Sequence, residues 1–84
     1  MINNEIHLKN LGYFDTISKL MYAHRKLLET LSTCGIVKRI EIFNDSDNGL
    51  VEMSTPSEAR TAKKYLEESR LPAKIRRLFA VLLN

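Results

Sequence analysis

Apolar and polar residues alternate through residues 5–11, EIHLKNL, with Ile6 and Leu8 on one side and His7 and Lys9 on the other. Period-two alternation is the pattern of a half-buried strand, and Gly12 ends it. The period then changes. Ile17, Leu20, Met21, Leu27, Leu28 and Leu31 recur at helical spacings with His24 among them, which predicts a single apolar stripe on a helix over residues 16–33. Asp15 stands where a carboxylate can cap the first turn, and Gly35 where a left-handed residue terminates the last. Residues 36–43, IVKRIEIF, alternate again: Ile36, Lys38, Ile40 and Ile42 share one face, and Val37, Arg39, Glu41 and Phe43 the other. NDSDNG is turn chemistry, and Leu50 to Met53 reads as the hairpin partner of the preceding strand.

Thr55 and Glu58 form a T-x-x-E capping box with Pro56 at the first helical position. The helix behind them buries Ala59, Ala62 and Leu66 and turns Arg60, Lys63, Lys64, Glu67 and Glu68 outward. Pro72 marks a stop. AKIRRLFAVLLN, residues 73–84, is the fourth strand; from Leu78 onward its apolar residues occupy both parities, so the pattern leaves its register open. The order β-α-β-β-α-β predicts an α+β, ferredoxin-like fold: a four-stranded antiparallel sheet with two helices on one face. The other face stays uncovered. Function in such a layout usually sits there, although the fold does not specify which function.

The chain has 84 residues, the length of one domain spanning 1–84. Its 44% hydrophobic and 27% charged residues are the composition of a globular protein rather than a disordered one. No apolar run is long enough to span a bilayer, and MINNEIHLKN lacks the basic and apolar regions of a secretory signal. A lone cysteine, Cys34, rules out an internal disulfide framework and fits a reducing compartment, nuclear or cytoplasmic. The net charge of +3 permits a polyanionic partner without requiring one. One cysteine and two histidines on separate elements give no metal-ligand spacing, the three glycines are too scattered for a phosphate loop, and no nucleophile has a recognisable base. The expectation is a non-enzyme without metal or cofactor.

Short signatures separate the families that share this topology. The loop 12-GYFDT-16 lacks the C-x-x-C of metal-transport domains, the D-x-P-G turn of amino-acid-sensing domains and the arginine of acyl phosphatases. IHLKNL, residues 6–11, resembles the first-strand hexamer of the RNA recognition motif, with His7 where Phe or Tyr is usual. GIVKRIEIF, residues 35–43, resembles that family's second strand. LVEM, residues 50–53, matches the end of its third-strand octamer, with Asn48 and Leu50 in place of the aromatics. EARTAKKYL, residues 58–66, resembles its second helix. The likeness covers nearly the whole chain, and the scarcity of aromatics is similar to the polypyrimidine-tract-binding type.

That resemblance implies a non-catalytic RNA-binding module of RNA processing that takes short, pyrimidine-rich single strands on its open sheet face. Bases stack on flat side chains and cations follow the phosphates in such sites. The residues it points to are His7 and Phe43 for stacking, Lys9 and Arg39 for phosphate or base edges, Asn48 and Leu50 at the vacated aromatic positions, and Arg76 from the fourth strand, with Glu41 and Glu52 as acidic intruders. The run Lys74, Arg76, Arg77 divides between phosphate contact and plain solubility. His24 reads as a core-edge residue, Met21 and Met53 as core fillers, Tyr13, Phe14 and Tyr22 as packing or loop anchors, and Lys63 and Lys64 as a solvated helix face. The alternative is a protein-interaction or dimerisation module of an RNA-associated complex, working through the sheet edge or the apolar tail LFAVLLN.

Overall fold

The computed structural model describes residues 4–9 and 11–68, together with the backbone of 79–83. The elements follow in the order β1 (Glu5–Lys9), α1 (Ile17–Leu31), β2 (Val37–Phe43), β3 (Asn48–Met53), α2 (Pro56–Glu68) and β4 (Phe79–Leu83). The sheet runs β2-β3-β1-β4, and each neighbouring pair is antiparallel. The register of β4, which the sequence pattern leaves open, sets Leu83 opposite Glu5 and Phe79 opposite Lys9. Arg76, with Lys74 and Arg77, lies outside the described residues, as does Pro72.

One side of the sheet carries the core. Ile6 and Leu8 of β1 and Val51 and Met53 of β3 are fully buried against Ala23, Leu27 and Leu31 of α1 and Ala59, Ala62 and Leu66 of α2. Leu11 and Phe14, in the segment between β1 and α1, close one end of it. Asn44 holds that segment: the Phe14 amide donates to its Oδ1 at 2.8 Å, and its Nδ2 donates to the Phe14 carbonyl at 2.9 Å. The close approach continues at Gly49, where a Cβ would stand 2.8 Å from Leu11 Cδ1 and 3.0 Å from the Glu41 carbonyl oxygen. A side chain at Gly49 would push Leu11 and the β2 backbone away, so the hairpin and the β1–α1 segment depend on the same residue.

Four expectations are corrected. The cap of α1 is Thr16, not Asp15: its extended backbone and its Oγ1, 3.2 Å from the Lys19 amide, form the cap, while Asp15 pairs with Lys19 Nζ at 3.0 Å. The helix ends at Leu31 on an αR Ser32, and Gly35 lies three residues past that cap with φ +153, so it is not a left-handed helix terminator. The buried stripe of α1 is Ala23, Leu27 and Leu31 with Leu20 at its edge. Ile17, Met21 and Leu28 are 76%, 65% and 40% exposed, and His24, Tyr13 and Tyr22 are exposed as well. Finally, β2 begins at Val37, and a bulge between Val37 and Arg39 shifts the register. An extra residue in one strand inverts the facing of everything before it. Val37 therefore joins the core side, and Ile36, expected to face the core, is 68% exposed.

Glu58 joins α2 to the entrance of β2. Thr55 Oγ1 takes the Glu58 amide at 3.2 Å, the forward half of the capping box. The carboxylate itself receives the Ile36 amide at 2.7 Å, the Thr55 hydroxyl at 2.8 Å and the Ser54 hydroxyl. These donors, Ser54 first, then the Ile36 amide and Thr55, hold the Glu58 pKa below its ordinary value. A carboxylate with a depressed folded-state pKa adds stability above its unfolded pKa and loses it as pH falls through the folded one. Thermal melts from pH 7 to pH 3 will therefore show a falling Tm in the range below the ordinary carboxylate pKa, and Glu58→Gln will make that part of the profile shallower. Identical acid limbs for both proteins would rule this linkage out.

Candidate nucleic-acid interface

Residues directly opposed in an antiparallel pair share a face, so the register orders the uncovered side of the sheet into rows. In the first row Glu5 faces Glu52, which faces Arg39. In the second, His7 faces Leu50, which faces Glu41. In the third, Asn48 faces Phe43, and Lys9 continues the β1 parity of Glu5 and His7 beside them. Six of the residues expected at an RNA site (His7, Lys9, Arg39, Phe43, Asn48 and Leu50) thus stand on one face. Phe43 is 42% exposed, Lys9 is exposed, and His7, Asn48 and Leu50 are half-buried.

The rows differ sharply in charge. Arg39 meets three carboxylates: Glu41 Oε1 lies 2.9 Å from its Nη1, Glu5 Oε2 3.3 Å from its Nη2 and Glu52 Oε1 3.5 Å from its Nε. Lys38 Nζ reaches Glu52 Oε2 at 3.7 Å. The side chain expected to contact phosphate is thus surrounded by anions. Two cations against three carboxylates leave this corner net negative. Half-exposed pairs of this kind contribute little stability each, about 0–1 kcal/mol, but they decide what can approach. The opposite corner has Phe43, Asn48 and Lys9, and among the described residues no ion pair engages Lys9. The three glutamates are not a cation cage either, since among the described residues no group of three His, Cys, Asp or Glu side chains is placed to hold a metal ion.

Two members of the network were missed by sequence reasoning. Glu5 shares the parity of His7 and could have been placed from the i, i+2 rule. Lys38 could not: strict alternation puts it on the core side, and only the bulge brings it to Glu52.

No protein-family model and no curated protein sequence matches the chain. Solved structures do match. The RRM domain of Puf1 from S. pombe superimposes with a TM-score of 0.69 at 18% identity, covering 95% of this chain and 88% of that one. The chain has the fold of an RNA recognition motif. The RNA binding domain of a methenyltetrahydrofolate synthetase domain-containing protein superimposes with a TM-score of 0.67, also at 18% identity, covering 100% of this chain and 78% of that one. At this identity the likeness is one of backbone, so the chemistry of the RRM-type face here has to be read from its own side chains. Among the described residues no helix is long and apolar enough to cross a membrane.

Proposed function

We propose that the chain is a non-catalytic, intracellular module that binds short single-stranded RNA on the Phe43 end of its open sheet face. The observation that carries this is the third row: an exposed aromatic, an amide and a lysine that no ion pair engages among the described residues, side by side on the uncovered face of an RRM-type sheet. A base stacks on Phe43, Asn48 meets its edge, Lys9 takes a phosphate, and His7 with Leu50 continues the floor toward the middle of the sheet. The carboxylates around Arg39 turn the backbone away from the other end. The scarcity of aromatics resembles the polypyrimidine-tract-binding type, which makes pyrimidine-rich strands the probe of choice. A stacked base is worth about 1–3 kcal/mol, so the site is weak alone and gains from a neighbouring module.

The test is a titration of fluorescent single-stranded pyrimidine-rich RNA at several salt concentrations. Each phosphate neutralised contributes about −0.7 to the slope of log K against log salt, and the free cations among the described residues of this face imply one or two phosphates. Phe43→Ala weakens binding roughly 5- to 160-fold, in line with one lost stack. No binding at low salt, or binding indifferent to Phe43→Ala and His7→Ala, would overturn the proposal.

One observation favours protein binding as a second reading. Ile17, Met21 and Leu28 form an exposed apolar stripe on α1, beside Tyr22, whose ring lies 6.0 Å from the Arg25 guanidinium carbon and 5.8 Å from Lys26 Nζ. Exposed apolar patches of this kind often mark contact surfaces, and this one is on the helical side of the domain, clear of the sheet face. The tail is less telling than the sequence suggests, because the backbone of β4 pairs with β1 of the same chain.

A further inference from the structure

The register puts a carboxylate at the edge of the exposed Phe43 ring on the open sheet face. Glu41 precedes Phe43 by two residues on β2, so both side chains leave the same face about 7 Å apart. Across the ladder, Leu50 faces Glu41 and Asn48 faces Phe43. A base lying on Phe43 is therefore bordered along the strand by Glu41 and across it by Asn48, over an apolar floor at Leu50. Glu41 is not a loose surface acid. Arg39 Nη1 binds its Oε1 at 2.9 Å, which fixes the carboxylate and leaves Oε2 unengaged among the described residues.

We infer that Glu41 selects the base stacked on Phe43, and that it selects cytosine against uracil. This rests on the RNA-binding reading above and deepens it. An ionised carboxylate only accepts hydrogen bonds. Cytosine presents its N4 amino group as a donor, and glutamate accepting from that group is an established pairing. Uracil presents the O4 oxygen at the same place, so two acceptors would be forced together without a proton between them. Asn48 cannot make the distinction, because its amide offers a donor on one side and an acceptor on the other and turns to suit either base. Glu41 cannot turn into a donor, and Arg39 keeps it from swinging away. The discrimination therefore comes mainly from rejection of uracil.

The experiment compares oligo(C) and oligo(U) RNA of equal length, at pH 7.5 and one fixed salt concentration, on the wild-type chain and on Glu41→Gln. Circular dichroism melts accompany both proteins to establish that each is folded. The wild type binds oligo(C) on the order of tenfold more tightly than oligo(U). Glu41→Gln brings the two within about twofold, through gained affinity for oligo(U), because a glutamine amide can donate to O4. Equal binding of the two RNAs by the wild type would overturn the inference and leave the RNA reading standing. So would a cytosine preference that survives in Glu41→Gln. Failure of the wild type to bind either RNA at low salt would instead remove the RNA reading itself.

Discussion

Gly35→Ala will destabilise the fold by about 2–4 kcal/mol, a large share of the roughly 4–13 kcal/mol expected for a chain of this size. Two causes add. The backbone at Gly35 has φ +153, a conformation that L residues rarely adopt and that costs on the order of 1–3 kcal/mol. A Cβ there would also run into the Glu58 side chain, at its Cγ, Cδ and Oε1. A flexible glutamate could ordinarily move aside. This one is held by the Ile36 amide and the Ser54 and Thr55 hydroxyls, so moving it breaks the joint between α2 and the start of β2. Urea unfolding will report a lower midpoint at unchanged m-value. The two causes separate in a double-mutant cycle: on a Glu58→Ala background the collision disappears and alanine at Gly35 costs only its backbone strain. An equal cost on both backgrounds would show that Glu58 does not set it.

Gly35 also illustrates how much of the fold was legible. Its position beyond a helix suggested a left-handed terminator, and the reason for glycine turns out to be a side chain arriving from another element. Local signals suffice where the cause is local: Pro56 opens α2, Thr55 caps it, and Ala59, Ala62 and Leu66 face the core. They misled where the cause is tertiary. The apolar arc of α1 is wider than the sheet can cover. Periodicity alone cannot say which half is buried, and Ala23, too small to stand out in the pattern, marks the buried side in place of Met21. At the amino end of α1, Asp15 and Thr16 both qualify as caps by residue type, and the extended backbone at Thr16 decides between them.

The shared face of the candidate residues was legible in the strand pattern, and its electrostatics were not. Strand parity places His7, Lys9, Arg39, Phe43 and Leu50 on one face because β1, β3 and β2 beyond Lys38 alternate regularly, and Asn48, which the resemblance adds, joins them because β3 begins at Asn48 rather than Leu50. Parity says nothing about which strands are neighbours, and the pairings are what bring Glu5 and Glu52 to Arg39. The bulge at Lys38 is a backbone irregularity with no residue signature, so strict alternation puts the second cation of that corner on the wrong side. A face that reads in one dimension as basic and aromatic with two acidic intruders is, in three, a basic-aromatic row and a separate, net negative corner.

That division sets up the second large effect. Replacing Glu5, Glu41 and Glu52 together by glutamine will raise affinity for single-stranded RNA between about tenfold and 100-fold at low salt. A charge pair about 8 Å apart in water is worth about 0.5 kcal/mol, so removing three anions beside a bound phosphate chain contributes on the order of 1.5 kcal/mol. Release of Arg39 and Lys38 from their partners adds to it. The salt dependence carries the sharper signature. If both freed cations engage phosphates, the slope of log K against log salt steepens by about 1.4, and the gain shrinks as salt screens it. Loss of these half-exposed pairs costs little stability, so the variant stays folded and the comparison is clean. Raised affinity with an unchanged slope would mean that the glutamates merely repel RNA and that Arg39 never reaches it. No gain at all would place bound RNA away from this corner, confined to Phe43, Asn48 and Lys9. The same three substitutions also remove the acceptor that rejects uracil, so the variant should bind more tightly and choose less. That exchange is expected of a face where one arginine, held among carboxylates, fixes in place the group that does the choosing.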